Sequence, residues 1–198
     1  IMQSIASVMV VGMNLILISF TETAVALFGI YFKLQSFVFM PVFGLTQGVM
    51  PIMGYNFGAH KKQRLISTVK IGSIIAVVIM VLGMAAFWIL PKQLLLIFNA
   101  SETMLEIGIP ALKTISLCFV PAALGIMFST VFQAVGNGLN SLMISVLRQL
   151  VVLLPIAYFL SGFGLSAVWY AFPIAEIASL SASIFLYSRL YNKTLKNL

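Results

Sequence analysis

Apolar residues run in long blocks along this chain, separated by short polar clusters. The first block extends from Ile1 to Phe20 and stops at Thr21-Glu22-Thr23. The second begins at Ala24 and stays apolar as far as Tyr55 and Asn56. A third covers Leu65 to Leu90 and ends at Pro91-Lys92. Beyond an acid-containing link, Asn99 to Glu106, a fourth runs from Ile107 to Val135. Gly136-Asn137-Gly138 has the residue types of a tight turn. The fifth block covers Asn140 to Leu160, and Ser161-Gly162-Phe163-Gly164 turns into the sixth, Leu165 to Leu190. About 20 apolar residues in a helix cross the roughly 30 Å of a hydrocarbon layer. The pattern therefore predicts an all-α, polytopic membrane protein, a six-helix bundle with spans 1–20, 24–56, 65–90, 107–135, 140–160 and 165–190. The second block exceeds one crossing, and tilt, or a bend at Pro41 and Pro51, would absorb the excess.

Composition removes the soluble alternative. The chain is 62% hydrophobic and 8% charged over 198 residues, where soluble domains carry roughly a quarter charged residues. There is no aspartate, one histidine (His60) and one cysteine (Cys118). An internal disulfide, a multi-cysteine metal site and most hydrolase layouts are excluded. We expect no metal, no cofactor and no enzymatic activity. No basic segment with a cleavage site precedes the first block, so we expect a piece of a longer protein rather than a secretory leader.

Charge orients the spans. The link after the second span holds His60, Lys61, Lys62 and Arg64, and the tail holds Arg189, Lys193 and Lys196. The alternate links hold Glu22, and Lys92 with Glu102 and Glu106. Short basic links stay on the cytoplasmic side, which places both chain ends there, in a bacterial-type inner membrane. Beside such apolar flanks the net charge of +7 reads as orientation, not as a nucleic-acid surface.

Polar groups inside spans are costly in lipid and turn toward a bundle interior or a watery cavity. Lys33, Arg148 and Glu176 each lie about ten residues from a turn, at similar depth. We expect Glu176 within reach of Arg148 or Lys33. Helical spacing gives shared faces: Lys33, Met40, Gly44, Gln47 and Pro51 in the second span, and Gln3, Ser7 and Asn14 in the first. Ser141, Ser145 and Arg148 share one in the fifth, and Glu176, Ser179 and Ser183 in the sixth. The serines read first as residues that let helices pack closely. Asn14, Met40, Gln47, Tyr55 and Gln133 are candidates to line a cavity. Prolines and glycines at Pro41, Gly44, Gly48, Pro51 and Gly54 suit a helix that bends beside a mid-membrane site.

At these residues the chain resembles the MATE (multidrug and toxic compound extrusion) family. "GLTQGVMPIMGYNFGAHKKQR" (Gly44 to Arg64) looks like the end of that family's eighth helix and the loop after it. "FQAVGNG" (Phe132 to Gly138), "RQLVVLLP" (Arg148 to Pro155) and "GLSAVWYAFPIAE" (Gly164 to Glu176) follow in the order of helices ten to twelve. The resemblance implies a C-terminal six-helix lobe whose N-terminal counterpart is a separate part of the same protein. It also implies exchange of small organic, often cationic, drugs or toxins for Na⁺ or H⁺. In several branches carboxylates on the seventh and tenth helices hold the ion; this chain has Asn14 and Gln133 in those spans. Glu176 is then the ion-coupling candidate within the chain. The alternative is a lipid-linked oligosaccharide flippase of the same superfamily, whose cavity needs more positive charge than Lys33 and Arg148 supply.

Overall fold

The computed structural model describes residues 2–197, with side chains from Ser4 to Lys196. The Gln3 side chain, expected on the inward stripe of the first span, lies outside the described residues. Helix α1 (Met2–Ile18) is followed by α2 (Glu22–Gly58), α3 (Lys62–Ile89), a short α4 (Pro91–Leu96), α5 (Glu102–Ser116) and α6 (Phe119–Ala134). Next come α7 (Gly138–Val146), a π-helical stretch (Leu147–Leu153), α8 (Leu154–Ser161), α9 (Leu165–Val168) and α10 (Ala171–Lys193). No strand occurs among the described residues.

Helix starts follow local chemistry. Thr21 accepts the Ala24 N–H at 3.3 Å, and Ser101 accepts that of Met104 at 3.3 Å. Each satisfies a donor that the first turn of a helix leaves open. Four helical runs are long and apolar enough to cross a membrane: α2, α3, Gly138–Ser161 and Leu165–Lys193. The α5–α6 pair reaches that length only as two halves, bent by 44°. Pro121, in the first turn of α6, has no N–H for the Leu117 carbonyl, which places the break at Leu117-Cys118. The shorter apolar α1 is the sixth rod.

The long second span forms one continuous helix. Helix α2 continues unbroken through Pro41 and Pro51. Each proline withholds a single bond, from the carbonyl of Phe37 or Gln47, and both rings lie on the exposed face. The opposite face is held along α3 and α6. At 37 residues the helix is about 55 Å long, longer than one crossing requires. The irregularity falls in the fifth rod instead. Pro155 cannot donate to the Val151 carbonyl, and the turns before it widen to π-helical bonding from Leu147 to Leu153.

The core lies among α2, α3, α6 and α10, with Phe28, Tyr31, Phe87, Phe119 and Phe132 fully buried. Phe119 meets the edges of Phe39 at 5.4 Å and Phe87 at 5.0 Å, an arrangement aromatic rings favour. Helices approach closely where a side chain is missing. A Cβ on Gly83 would collide with Val38 of α2, and one on Gly72 would lie 2.7 Å from the Met127 methyl of α6. A Cβ on Gly44 would meet nothing within 4 Å. Lipid tails are as apolar as leucine, so association in a membrane depends on such close packing. Gly83→Val should cost about 1–3 kcal/mol, read as a lower Tm of the detergent-purified protein, whereas Gly44→Ala should leave Tm within about 1 °C.

Candidate functional site

The widened turns of the fifth rod present Arg148 to α10, where Glu176 projects from the second turn. Arg148 Nη1 donates to Glu176 Oε1 at 3.1 Å. Among the described residues this is the one ion pair. The side chains are 28% and 15% exposed, so the pair is neither solvated nor sealed.

It forms one wall of a cavity of about 420 Å³ between α1, α2, α6, the π-helical segment and α10. Ligand pockets commonly span about 300–1,000 Å³. Aromatic rings dominate the rest of the wall: Tyr31, Phe32, Phe39, Phe43 and Phe172. Gln35, Ser36 and Gln149 add polar edges, and Met40 stands at the rim. Tyr31's hydroxyl lies beside the Cys118 thiol and has no oxygen or nitrogen partner, and the Gln149 amide oxygen is buried without a donor. Such groups are costly in a dry interior and favour a polar guest in this one. A cavity of this kind has the shape and chemistry for an amphipathic aromatic molecule, with rings to enclose an apolar body and the Arg148–Glu176 pair to orient a charge.

The exposed face of α2 forms the mouth. Ser36, Met40 and Phe43 line the cavity and are themselves exposed. The same face carries Lys33, Phe37, Pro41, Gly44, Gln47, Gly48, Pro51, Ile52 and Tyr55, all exposed, a mixture of apolar, small and polar residues. Helix α3 differs: Ile71, Ile74, Ile75, Val78, Val81 and Leu82 make its exposed middle uniformly apolar, suited to acyl chains. A face with amides, a phenol and small residues suits a wet cleft or a second protein surface instead.

Several expected placements are corrected here. Lys33 does not join the pair; its ammonium stands 5.8 Å from the Phe98 ring centroid, in the link between α4 and α5. A long lysine stem lets the charge move along the helix toward the end of the bundle, which depth along the sequence ignores. Of the five candidates for a cavity between two lobes, Met40 also lines this hollow within the lobe. Gln47 and Tyr55 lie farther along the exposed face of α2, and Asn14 is half-buried on α1. The Gln133 amide donates to Ser141 Oγ at 3.2 Å, and Ser141 also bonds Ser129, so this group ties α6 to α7. Ser183 donates to the Ser179 carbonyl within α10, as a close-packed helix surface requires. Tyr31, Gln35 and Gln149 are cavity residues that the pattern reading did not single out. The criterion that selected Lys33, a polar group within a span, would have found Gln35 and Gln149.

Residues 1–159 match the family model described as MatE. The chain belongs to the MatE family. It is similar to the "Multidrug export protein MepA" of Staphylococcus saprophyticus, 29% identical over 177 residues, covering 88% of this chain and 39% of that protein. The MepA of Staphylococcus aureus strain NCTC 8325 is 28% identical over the same shares. In fold it is similar to a solved multidrug resistance MATE family transporter of the MOP superfamily in its outward-facing conformation. That match has a TM-score of 0.91 at 24% identity, over 100% of this chain and 45% of the other. An inward-facing structure gives 0.91 at 24% identity, over 99% and 46%. The MOP superfamily transporter from Pyrococcus furiosus Vc1 described as having reversed binding-pocket polarity gives 0.90 at 25%, over 98% and 44%. The chain thus spans less than half the length of these relatives. All-helical architecture, membrane residence with several crossings and MatE membership stand together.

Removing one member of the pair leaves a charge without its partner in a largely apolar wall. Arg148→Ala and Glu176→Ala should each lower stability by about 1–3 kcal/mol, below the range for fully sealed pairs because both groups keep some exposure. Arg148→Met combined with Glu176→Leu should recover most of that loss, measured by thermal unfolding in detergent.

Proposed function

We propose that this chain is the C-terminal lobe of a secondary active exporter in a bacterial-type inner membrane. It exchanges small organic, often cationic, drugs or toxins for Na⁺ or H⁺. The observation that carries the reading is the Arg148–Glu176 pair in the wall of an aromatic cavity that opens on the exposed face of α2. In this reading that face lines a central passage with the N-terminal lobe of the same protein on its other side. The basic links and both ends of the chain lie on the cytoplasmic side. The MepA relatives are named as multidrug export proteins, and that supports the substrate class.

Glu176 is the group that takes the ion. A proton on its carboxylate removes the anion facing Arg148 and changes what charge the cavity will hold. Only a difference in affinity between the inward-open and outward-open states shifts their balance, and an ion on Glu176 supplies such a difference. One charge crossing 100 mV is worth about 2.3 kcal/mol, or roughly a fiftyfold concentration ratio. Fold similarity to both an inward-facing and an outward-facing transporter, at equal TM-score, supports a lobe that moves as one body. The single guanidinium in the cavity already faces a carboxylate, which favours this reading over a lipid-linked oligosaccharide flippase.

Glu176→Gln in the full-length protein should lower export of an organic cation from energised vesicles by about tenfold or more, at unchanged protein level. The remaining flux should lose its dependence on the imposed Na⁺ or proton gradient. Retained gradient-driven export would reduce Glu176 to a packing role.

A further inference from the structure

At the basic end of the bundle, the turn from α6 into α7 meets the last turns of α10. Between them is a second cavity of about 160 Å³, walled by Asn137, Asn140, Arg189 and Lys193 over Leu186 and Leu190. The two cations are one turn apart on α10 and overhang the same hollow. The one ion pair among the described residues is Arg148–Glu176, so no carboxylate of the described residues neutralises either. Glu22 and Glu102 open α2 and α5 at the opposite end of the bundle, with Glu106 one turn further on. The end that holds the hollow carries Lys61, Lys62 and Arg64 as well; Lys62 donates to the Lys196 carbonyl at 2.8 Å, joining this link to the tail. The nine-residue α7 begins at Gly138, and the Asn137 side chain before it makes no capping bond to the helix and lies on the wall of the hollow.

An uncompensated pair of cations with amide donors is the chemistry that recognises a phosphate. The flanks of the hollow decide its source. One turn along α10 from Arg189 is Phe185, 68% exposed, and one turn along α7 from Asn140 is Met143, 62% exposed. Both belong to membrane-crossing helices, so an apolar track leads from the hollow into the hydrocarbon. A free phosphate has no use for that track; a lipid does. We infer that the hollow holds the headgroup phosphate of an anionic glycerophospholipid, with its acyl chain along Met143 and Phe185. Basic pockets between helices at a membrane surface act in this way. The lipid braces α7 against α10, the ends of the two rods that carry Arg148 and Glu176 farther along. The inference is independent of the transport reading.

The test is native mass spectrometry of the full-length protein in detergent, titrated with phosphatidylglycerol or phosphatidylcholine. Arg189→Gln combined with Lys193→Gln should weaken phosphatidylglycerol binding by about tenfold or more. Lys61→Gln combined with Arg64→Gln, which removes equal charge from the same end but outside the hollow, should change it by less than about twofold. Asn140→Leu, which fills the hollow and keeps every charge, should also weaken binding and stands in if the double variant does not fold. Phosphatidylcholine should bind all forms weakly, and millimolar inorganic phosphate at constant ionic strength should not displace the anionic lipid. Equal losses in the two double variants would mean diffuse attraction and overturn the site. Displacement by inorganic phosphate would overturn the lipid as its occupant.

Discussion

Taking a guanidinium and a carboxylate out of water costs several kcal/mol for each ion unless they meet. In this chain the meeting requires two rods to be held in one register. The π-helical turns before Pro155 set the direction of Arg148, the start of α10 sets that of Glu176, and Nη1 to Oε1 closes at 3.1 Å. Packing around the pair follows from that constraint. The cavity keeps both groups partly wet, and Phe172 on α10 meets Phe28 of α2 at a tilt and Tyr31 edge-on, both with ring centroids 5.8 Å apart. The pair is therefore both a fastener between rods and the charged wall of the cavity.

Helix α2 joins the cavity to the rest of the surface. Its buried side gives Phe28, Tyr31, Phe39 and Val42 to the core, while its exposed side gives the cavity mouth and the mixed row of apolar, small and polar residues beyond it. The contrast with α3 is physical. Acyl chains accept isoleucine and valine without cost, whereas amides and a phenol need water or another protein surface. One face of the bundle is thus suited to lipid and another to a passage, and the second cavity marks the basic end as a lipid contact of a third kind.

Some of the candidate site was readable before any coordinates. Arg148 and Glu176 stand out because an ionisable group deep in an apolar block is expensive, and residue counting puts them level. Lys33 met the same criterion and yet lies over Phe98, because a lysine reaches several ångströms along its helix. Gln47 and Tyr55 share the stripe of Met40 but lie past the cavity, since a stripe fixes the face of a helix and not where a neighbouring helix ends. Tyr31 and Cys118 gave no signal, because each is ordinary in an apolar block until the two are placed together.

By itself the sequence determined the helical class, the long apolar stretches, and the gathering of positive charge at one end. Each of these is set by the local chemistry of lipid, water and turn residues. Only the tertiary structure decided that α2 stays whole through two prolines, that the break falls between α5 and α6, and that one rod widens beside Arg148. It also decided which charges meet. These outcomes depend on contacts between residues far apart in the chain, where helix direction and side-chain reach combine, and no local pattern encodes their sum.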